Sequence, residues 1–123
     1  MYRELEVGAV DTPPAVADAD EQCPVEAAMA IVGGKWKVAI LFHLQERGTL
    51  RFAQLQRSIE GVTAKVLAQQ LRELERDEML VRRVYPEVPP RVEYSLSERG
   101  RSFTPVLAVI CRWGESLAPA AAR

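Results

Sequence analysis

Residues 62–74 have the sequence VTAKVLAQQLREL and form one predicted helix with two different faces. Leu67, Leu71 and Leu74 recur at intervals of four and three, which places them on one apolar stripe that requires a core to pack against. A second stripe carries long cationic or amide side chains: Lys65, Gln69, Arg72 and Arg76. Thr63 precedes the helix with a hydroxyl that can cap its first free amides. The stretch predicts a helix anchored on one side and exposed on the other.

The exposed stripe has the chemistry that a nucleic-acid duplex requires. Lysine and arginine pair with phosphates, while arginine and glutamine can bond two atoms of a base edge in the major groove. The free amides behind Thr63 could also point at a phosphate. The same stripe is compatible with an ordinary solvated surface, so the rest of the chain has to distinguish the two interpretations.

The charged residues are distributed unevenly. Met1–Glu26 contains one basic and seven acidic residues, whereas the remaining residues contain fifteen basic and ten acidic ones. The net charge of −1 therefore combines an acidic leader with a basic body. The leader can simply increase solubility, but cations that share one face of the body can release counterions from a duplex.

Length and composition predict one packed domain. The chain has 123 residues, of which 48% are apolar. No apolar run of about eighteen residues and no signal segment occurs, so we expect a cytoplasmic protein without a membrane partner. We expect an acidic, flexible arm over residues 1–22, a DNA-binding and dimerisation domain over residues 23–118, and a tail over residues 119–123.

Three predicted helices precede the two-faced helix. The first begins at Cys23-Pro24, where proline suits the first helical position, and ends at Gly33-Gly34. The second, from about Lys35 to Arg47, is apolar around nearly its whole circumference, which places it at the centre of the domain. A single extended step at Leu50-Arg51 leads into a short helix over Phe52–Ile59. A short helix, a glycine-containing turn and a longer cationic helix follow the helix-turn-helix order.

Two strands are predicted after the two-faced helix. Leu80–Tyr85 and Arg91–Leu96 are rich in strand-forming residues, and the proline-rich segment 86–90 separates them with a stiff loop. Three arginines flank the hairpin: Arg82, Arg83 and Arg91. Such a basic ribbon is suited to the minor groove or the DNA backbone as a wing, and an ordinary surface hairpin is the alternative.

A long apolar stripe predicts a final helix that begins at a Ser97 cap. Its members recur at helical spacing: Phe103, Val106, Leu107, Ile110, Trp113 and Leu117. Pro105 is expected to kink this helix or to set its true start. Since the stripe is long for so small a body, we expect part of it to join two copies, together with the Val25–Val32 helix. The predicted fold class is mainly α with a small β-hairpin, a winged helix-turn-helix dimerised through its N- and C-terminal helices.

Several segments together resemble one known family. They are Cys23-Pro24-Val25-Glu26, Gly33-Gly34-Lys35-Trp36, Arg51-Phe52, the LRELERD segment at 71–77 and the VYPEVPPRVEYSL segment at 84–96. In this order and spacing they are similar to the HxlR-type winged helix-turn-helix transcriptional regulators of bacteria and archaea. The resemblance covers roughly Cys23 to Leu117. It implies a cytoplasmic homodimer that binds inverted-repeat operator DNA and represses or activates nearby genes.

The resemblance also implies roles for individual residues. The recognition-helix positions are matched by Thr63, Lys65, Gln69 and Arg72. Arg51 matches the residue that leads into the first helix of the motif, and Arg91 belongs to the matching wing. Cys23 matches a cysteine that senses electrophiles or oxidants in some members. Glu78 departs from the family, which commonly has glycine where this helix ends. A non-glycine residue in a left-handed cap costs on the order of 1 kcal/mol, so the helix could extend past this position.

Opposing effects act on the predicted sensor cysteine. A helix N-terminus stabilises a thiolate at Cys23, whereas the nearby carboxylates of Asp20, Glu21 and Glu26 oppose it. The alternative is a small buried residue near a subunit contact. Cys111 lies on the final helix and is expected to be packed. Two cysteines in a cytoplasmic chain predict no structural disulfide.

No pattern typical of an enzyme occurs. His43 is the only histidine, and its position in the apolar second helix favours a core role. Metal-ligand spacing, a glycine-rich phosphate loop and a nucleophile motif are all missing, so we predict no catalytic residue, metal or cofactor. The acidic residues of the two-faced helix are interpreted as solvated partners of Arg72, Arg76 and Arg82. They are Glu73, Glu75, Asp77 and Glu78.

Two classes of function stay open. In the first, the chain is a sequence-specific DNA-binding regulator. In the second, it is a winged-helix module that docks proteins through its apolar final helix without specific DNA readout. The sequence assigns no small-molecule effector to either class.

Overall fold

The computed structural model describes residues 23–117. Their elements follow in the order α1 (Pro24–Val32), α2 (Lys37–Arg47), β1 (Leu50–Arg51), α3 (Phe52–Ser58), α4 (Ala64–Arg76), β2 (Leu80–Tyr85), β3 (Arg91–Leu96), α5 (Glu98–Ser102) and α6 (Thr104–Leu117). The predicted winged helix-turn-helix class, mainly helical with a small sheet, is confirmed. The expected arm over residues 1–22 and the tail lie outside the described residues. The division of the chain and its dimerisation stay predictions.

The first two helices enclose a glycine turn. α1 has Pro24 in its first turn and ends at Val32, and the N–H of the following Gly33 donates to the Met29 carbonyl at 2.8 Å. α2 begins at Lys37, two residues later than predicted, because the turn continues through Trp36, which occupies the N-cap position. Lys37 is buried in the first turn of this helix, although lysine is normally exposed. The helix still fills the centre of the domain through Ile40, Leu41 and Leu44.

A three-stranded antiparallel sheet closes one side of this core. The strand order is β1-β3-β2, and the predicted bounds of β2 and β3 are confirmed. The predicted extended step at Leu50-Arg51 forms β1, which adds a strand to the predicted hairpin. Leu50 of β1 pairs with Tyr94 of β3. Tyr94 also pairs with Arg82 of β2, so β3 joins the wing to the helical core.

α4 ends at Arg76 although no glycine follows it. Glu78 adopts the left-handed conformation with φ 64°, and its N–H donates to the Glu75 carbonyl at 2.9 Å. The Met79 N–H donates to the Leu74 carbonyl at 2.8 Å. These two bonds form a Schellman motif, which satisfies the free carbonyls of the last turn. The possible extension of the helix past Glu78 is therefore wrong.

Pro105 sets the start of the final helix, as predicted. α5 ends at Ser102 and α6 starts at Thr104, so the predicted single helix is divided in two. Ser97 caps α5 by accepting a hydrogen bond from the Gly100 N–H at 2.9 Å. A side chain at Gly100 would collide with the Met79 carbonyl, so only glycine allows this close approach. No helix within residues 23–117 has the length and apolar character needed to cross a membrane.

Candidate nucleic-acid interface

The turn between α3 and α4 presents the N-terminal end of α4 at the surface. Gly61 lies in this turn with φ 90°, a conformation that L side chains rarely adopt. Thr63 then caps α4, because its Oγ1 accepts a hydrogen bond from the Val66 N–H at 3.2 Å. The predicted cap is confirmed. Thr63 itself is exposed, so an anion could approach the remaining free amides beside it.

The two faces of α4 are separated as the spacing predicts. Leu67, Leu71 and Leu74 are at most 2% exposed and belong to the core. The opposite stripe is exposed and consists of Lys65, Gln69, Arg72 and Arg76. The helix thus projects its amine, amide and guanidinium groups away from the domain. Contact of these groups with DNA stays a prediction.

An ion pair between a buried lysine and a partly covered glutamate connects α4 to the central helix. Lys37 is only 6% exposed, and its Nζ lies 2.6 Å from Oε1 of Glu73. Oε2 of the same carboxylate accepts a hydrogen bond from Nε2 of Gln69 at 3.3 Å. The hydrogen bond from Lys37, followed by that from Gln69, lowers the pKa of Glu73. Glu73 therefore stays ionised at neutral pH and links the core to the exposed stripe.

This ion pair corrects the predicted environment of Glu73. The sequence interpretation made its carboxylate a solvated partner of neighbouring arginines, whereas its partner is Lys37 on another helix. A signal was present, since a lysine within a nearly all-apolar helix requires a partner if it is buried. Spacing along the chain could not identify that partner.

The prediction for Asp77 is confirmed. Nε and Nη2 of Arg76 each donate to one oxygen of Asp77, both at 3.1 Å. The paired hydrogen bonds from this guanidinium lower the pKa of Asp77. The Arg76 side chain is nevertheless 65% exposed, so it lies on the surface in an already paired state.

Arg91 is held within the wing. Its guanidinium carbon lies 3.9 Å from the centre of the Tyr85 ring, its cross-strand neighbour. Nη2 lies 3.0 Å from a Glu87 oxygen, and Nη1 lies 3.5 Å from a Glu93 oxygen. These contacts stiffen the end of the hairpin next to the proline loop. The role of Arg91 in DNA binding stays a prediction, and a duplex would have to compete with these two carboxylates.

Arg82 occupies a position that the sequence analysis did not include among the site residues. It lines a groove of about 330 Å³ between α4 and the wing, opposite Arg72. The other lining residues are Ala68, Leu71, Glu75 and Tyr94. Register could have indicated this proximity, because Arg82 pairs with the buried Tyr94 in the middle of the sheet. Two exposed arginines from different elements thus flank one concave surface.

Arg51 lies at the start of α3, as expected. Its backbone N–H donates to Oε1 of Gln54 at 2.8 Å, which fixes the first turn, and its side chain is exposed. Arg47 at the end of α2 donates to the Ser58 hydroxyl at 2.7 Å, which ties α2 to the other end of α3. The short first helix of the motif is therefore held at both ends, and Arg51 is presented beside it.

The cysteines and the histidine lie on elements other than α4. Cys23 is exposed at the N-cap of α1, and Cys111 on α6 is half-buried. His43 is half-buried with its ring edge-to-face against Phe42, at 5.2 Å between centroids. Burial, and then the charge of Arg47, lower the pKa of His43, so it is neutral near pH 7. Within residues 23–117, no cluster of three potential metal ligands occurs.

Comparison with known proteins agrees with this geometry. The family model of the HxlR-like helix-turn-helix matches residues 31–122, which includes α2 to α6 and the wing. The chain belongs to the HxlR-like helix-turn-helix family. The resemblance stated from the sequence motifs is thereby confirmed. This HxlR-like protein is a transcriptional regulator by family, and the family is not enzymatic.

Individual relatives support the assignment. The HTH-type transcriptional regulator YtcD of Bacillus subtilis is 51% identical over 90 residues, which cover 73% of this chain and 71% of that protein. An HTH-type regulator of Methanothermobacter thermautotrophicus is 46% identical over 100 residues, covering 81% and 76%. The solved structure of the redox regulator HypR in its oxidised form is 43% identical, covers 80% of this chain and 100% of that one, and superposes with a TM-score of 0.75.

Proposed function

We propose that this HxlR-like regulator acts as a homodimer that binds inverted-repeat operator DNA. The observation that carries the proposal is the division of α4 into two faces. Its leucines are buried, while Lys65, Gln69 and Arg72 project outward together. An exposed helix of this kind after a short helix and a tight turn can enter a major groove. Arg82 and the wing lie beside it and can contact the flanking backbone.

The charge of the chain supports duplex binding despite its overall balance. Residues 27–123 contain fifteen basic and ten acidic residues. Each phosphate that a cation neutralises releases counterions, so we expect binding to weaken steeply as salt is raised. Operator DNA lies in the cytoplasm of bacteria and archaea, so we propose a cytoplasmic location for the protein.

The proposed dimer forms through the terminal helices. Large apolar side chains are exposed on α1 and α6: Val25, Met29, Val106, Val109, Ile110, Trp113 and Leu117. Water contact with so many apolar groups is unfavourable, and a second copy would bury them. A two-fold dimer would also present two α4 helices to half-sites about one helical turn apart or a multiple of it.

A redox response through Cys23 is part of the proposal. The thiol is exposed, and HypR is named a redox regulator. Two Cys23 thiols, one from each protomer, would give two electrons and two protons to hydrogen peroxide, forming a disulfide and two waters. A nonreducing gel after mild peroxide should show a cross-linked dimer that Cys23→Ser abolishes and Cys111→Ser retains. Monomer alone would contradict this response and leave operator binding untouched.

Binding-site selection tests the main proposal. We expect the regulator to enrich a palindrome from a library of random duplexes. Arg72→Ala should then weaken binding by roughly 1–3 kcal/mol and relax the preference at one base pair, or weaken all sequences alike if it contacts a phosphate. Arg112→Ala removes an equal charge from exposed α6 and is the matched control.

The competing function is a winged-helix module that docks proteins through its exposed apolar helices. That function predicts no enriched palindrome and no effect of Lys65, Gln69 or Arg72 substitution on binding. The same experiment therefore distinguishes the two classes. The exposed stripe of α4 favours operator binding, because a protein-docking module has no need for aligned bidentate side chains.

A further inference from the structure

The contact between Gln69 and Glu73 determines which way the Gln69 amide faces. Nε2 of Gln69 donates to Oε2 of Glu73 at 3.3 Å. An ionised carboxylate can only accept hydrogen bonds, so the amide has to direct its nitrogen toward Glu73. Lys37 lies 2.6 Å from the other Glu73 oxygen and lowers its pKa, which keeps the carboxylate ionised. One N–H of Gln69 is thereby used, and one N–H and the carbonyl oxygen are left for an outside partner.

We propose that Gln69 reads adenine in each operator half-site and that Lys37 and Glu73 are its positioning residues. Adenine presents an acceptor at N7 and a donor at N6 in the major groove. These atoms complement the remaining N–H and the carbonyl oxygen of the Gln69 amide. The inference rests on the proposed operator function and adds to it the base that one side chain recognises.

The hydrogen bond to Glu73 makes the other bases poorer partners for the Gln69 amide. Guanine presents two acceptors, N7 and O6, so its O6 would face the carbonyl oxygen of Gln69. Cytosine and thymine each offer only one complementary polar atom on this edge. A free glutamine could turn its amide over to suit a different base, whereas the bond to Glu73 opposes that rotation.

The positioning residues reach from the core to the surface. Lys37 is buried on α2, Glu73 is partly covered on α4, and Gln69 is exposed one turn earlier on the same helix. Because the buried end of this chain of contacts is fixed by packing, the exposed end is preorganised before DNA arrives. Preorganisation lowers the cost of ordering a side chain on binding.

The test compares operator selection by four forms of the full-length regulator. They are the wild type, Gln69→Ala, Gln70→Ala and the double variant Lys37→Met with Glu73→Leu. Gln70→Ala is the matched control, since its glutamine lies next in sequence but off the exposed stripe. The double variant removes one charge of each sign, so it leaves the net charge unchanged. It replaces buried Lys37 and its partly covered partner by apolar side chains of similar size, so no buried charge is left unpaired.

We expect the wild type to prefer adenine at one position of each half-site by ten-fold or more, on the order of a good bidentate contact. Gln69→Ala should remove the preference at that position alone. The double variant should reduce the adenine-to-guanine ratio at the same position at least three-fold and retain the rest of the motif, which also demonstrates folding. Gln70→Ala should leave the motif unchanged.

Several results would overturn the inference. If the wild type enriches a palindrome in which Gln69→Ala alters no adenine position, operator binding stands and adenine reading is wrong. If the double variant keeps the full adenine preference, Lys37 and Glu73 do not position Gln69. If the double variant loses the whole motif, Glu73→Gln takes its place, and an unchanged adenine ratio there counts against positioning. A wild type that enriches nothing overturns the operator function itself.

Discussion

α4 and α6 are helices of 13 and 14 residues that each carry an apolar stripe, but the domain covers only the stripe of α4. All three leucines of the α4 stripe are buried against the core. On α6 only Leu107 is buried, while Trp113 is 66% and Leu117 is 63% exposed. The difference separates two uses of a helical stripe. One anchors its helix within the protomer, and the other is left for an outside surface.

The comparison also explains how exposed polar groups are held. The leucines and the Lys37–Glu73 pair attach the inner face of α4 to the core. Its polar stripe, on the opposite face, is therefore held in a fixed position. α6 is attached through its beginning, where Phe103 and Leu107 pack on the core. Its later turns extend beyond that support, which leaves them suited to contact with a second copy.

The largest expected effect comes from breaking the anchor of α4. Leu71→Ala should lower the free energy of unfolding by about 2–5 kcal/mol, because it removes a buried side chain and leaves a cavity. Urea unfolding at fixed protein concentration measures this. The adjacent exposed residue supplies the control, since Arg72→Ala should change stability by less than about 0.5 kcal/mol. Equal effects of the two substitutions would contradict the separation of faces.

Trp113→Ala tests the other stripe. We expect this substitution to weaken dimerisation by about 2 kcal/mol, or about thirty-fold, because a large aromatic group is a typical energetic centre of an interface. Folding of the protomer should change little, since Trp113 is mostly exposed there. Analytical ultracentrifugation over a concentration series measures the shift, with Arg112→Ala as the control. A wild-type protein that is monomeric at all concentrations would contradict the proposed interface.

Local patterns were sufficient to predict most of the fold. The α4 period of 3.6 gave both of its faces, and the change of period after it gave β2 and β3 with their observed bounds. Pro24, Pro105 and Ser97 mark helix starts through their own backbone and capping chemistry. These features depend on residues close together in sequence, which is why sequence reasoning reached them.

The contacts that shape the site depend on residues far apart in sequence. Lys37 and Glu73 lie on different helices, and the apolar pattern of α2 concealed that Lys37 is buried. Arg91 was predicted as a basic residue of the wing, and strand register places it over Tyr85 beside two carboxylates that spacing did not identify. Spacing predicts which face a residue occupies, whereas the partner depends on how the elements pack together.

Acidification provides a weaker way to loosen the attachment of α4 to α2. The pKa of Glu73 is lowered by Lys37 and Gln69, so the folded state binds its proton less readily than the unfolded state does. The stabilisation is present above the ordinary pKa of 4.5 and is lost as pH falls through the lower folded value. Unfolding measured from pH 6 to pH 3 should show a smaller loss in the Lys37→Met, Glu73→Leu variant than in the wild type. Equal losses in both would show that this pair does not contribute.

The smallest expected effect is a gain at the end of α4. Glu78 has φ 64°, where a side chain is strained and glycine is not. Glu78→Gly should therefore stabilise the protomer by up to about 1 kcal/mol, reduced by the greater backbone freedom of glycine in the unfolded chain. Asp77→Gly is the contrasting variant, because Asp77 has a negative φ and pairs with Arg76, so it should lose stability.

The same substitution sharpens the contrast between the two helices. Glu78 lies at the anchored end of α4 and contributes nothing to the exposed stripe of α6, so Glu78→Gly should raise the urea midpoint of the protomer without altering the dimer dissociation constant. A gain in dimer affinity would mean that the end of α4 and the α6 surface are coupled. Stability that falls instead would mean that the Glu78 side chain makes contacts whose loss outweighs the relief of backbone strain.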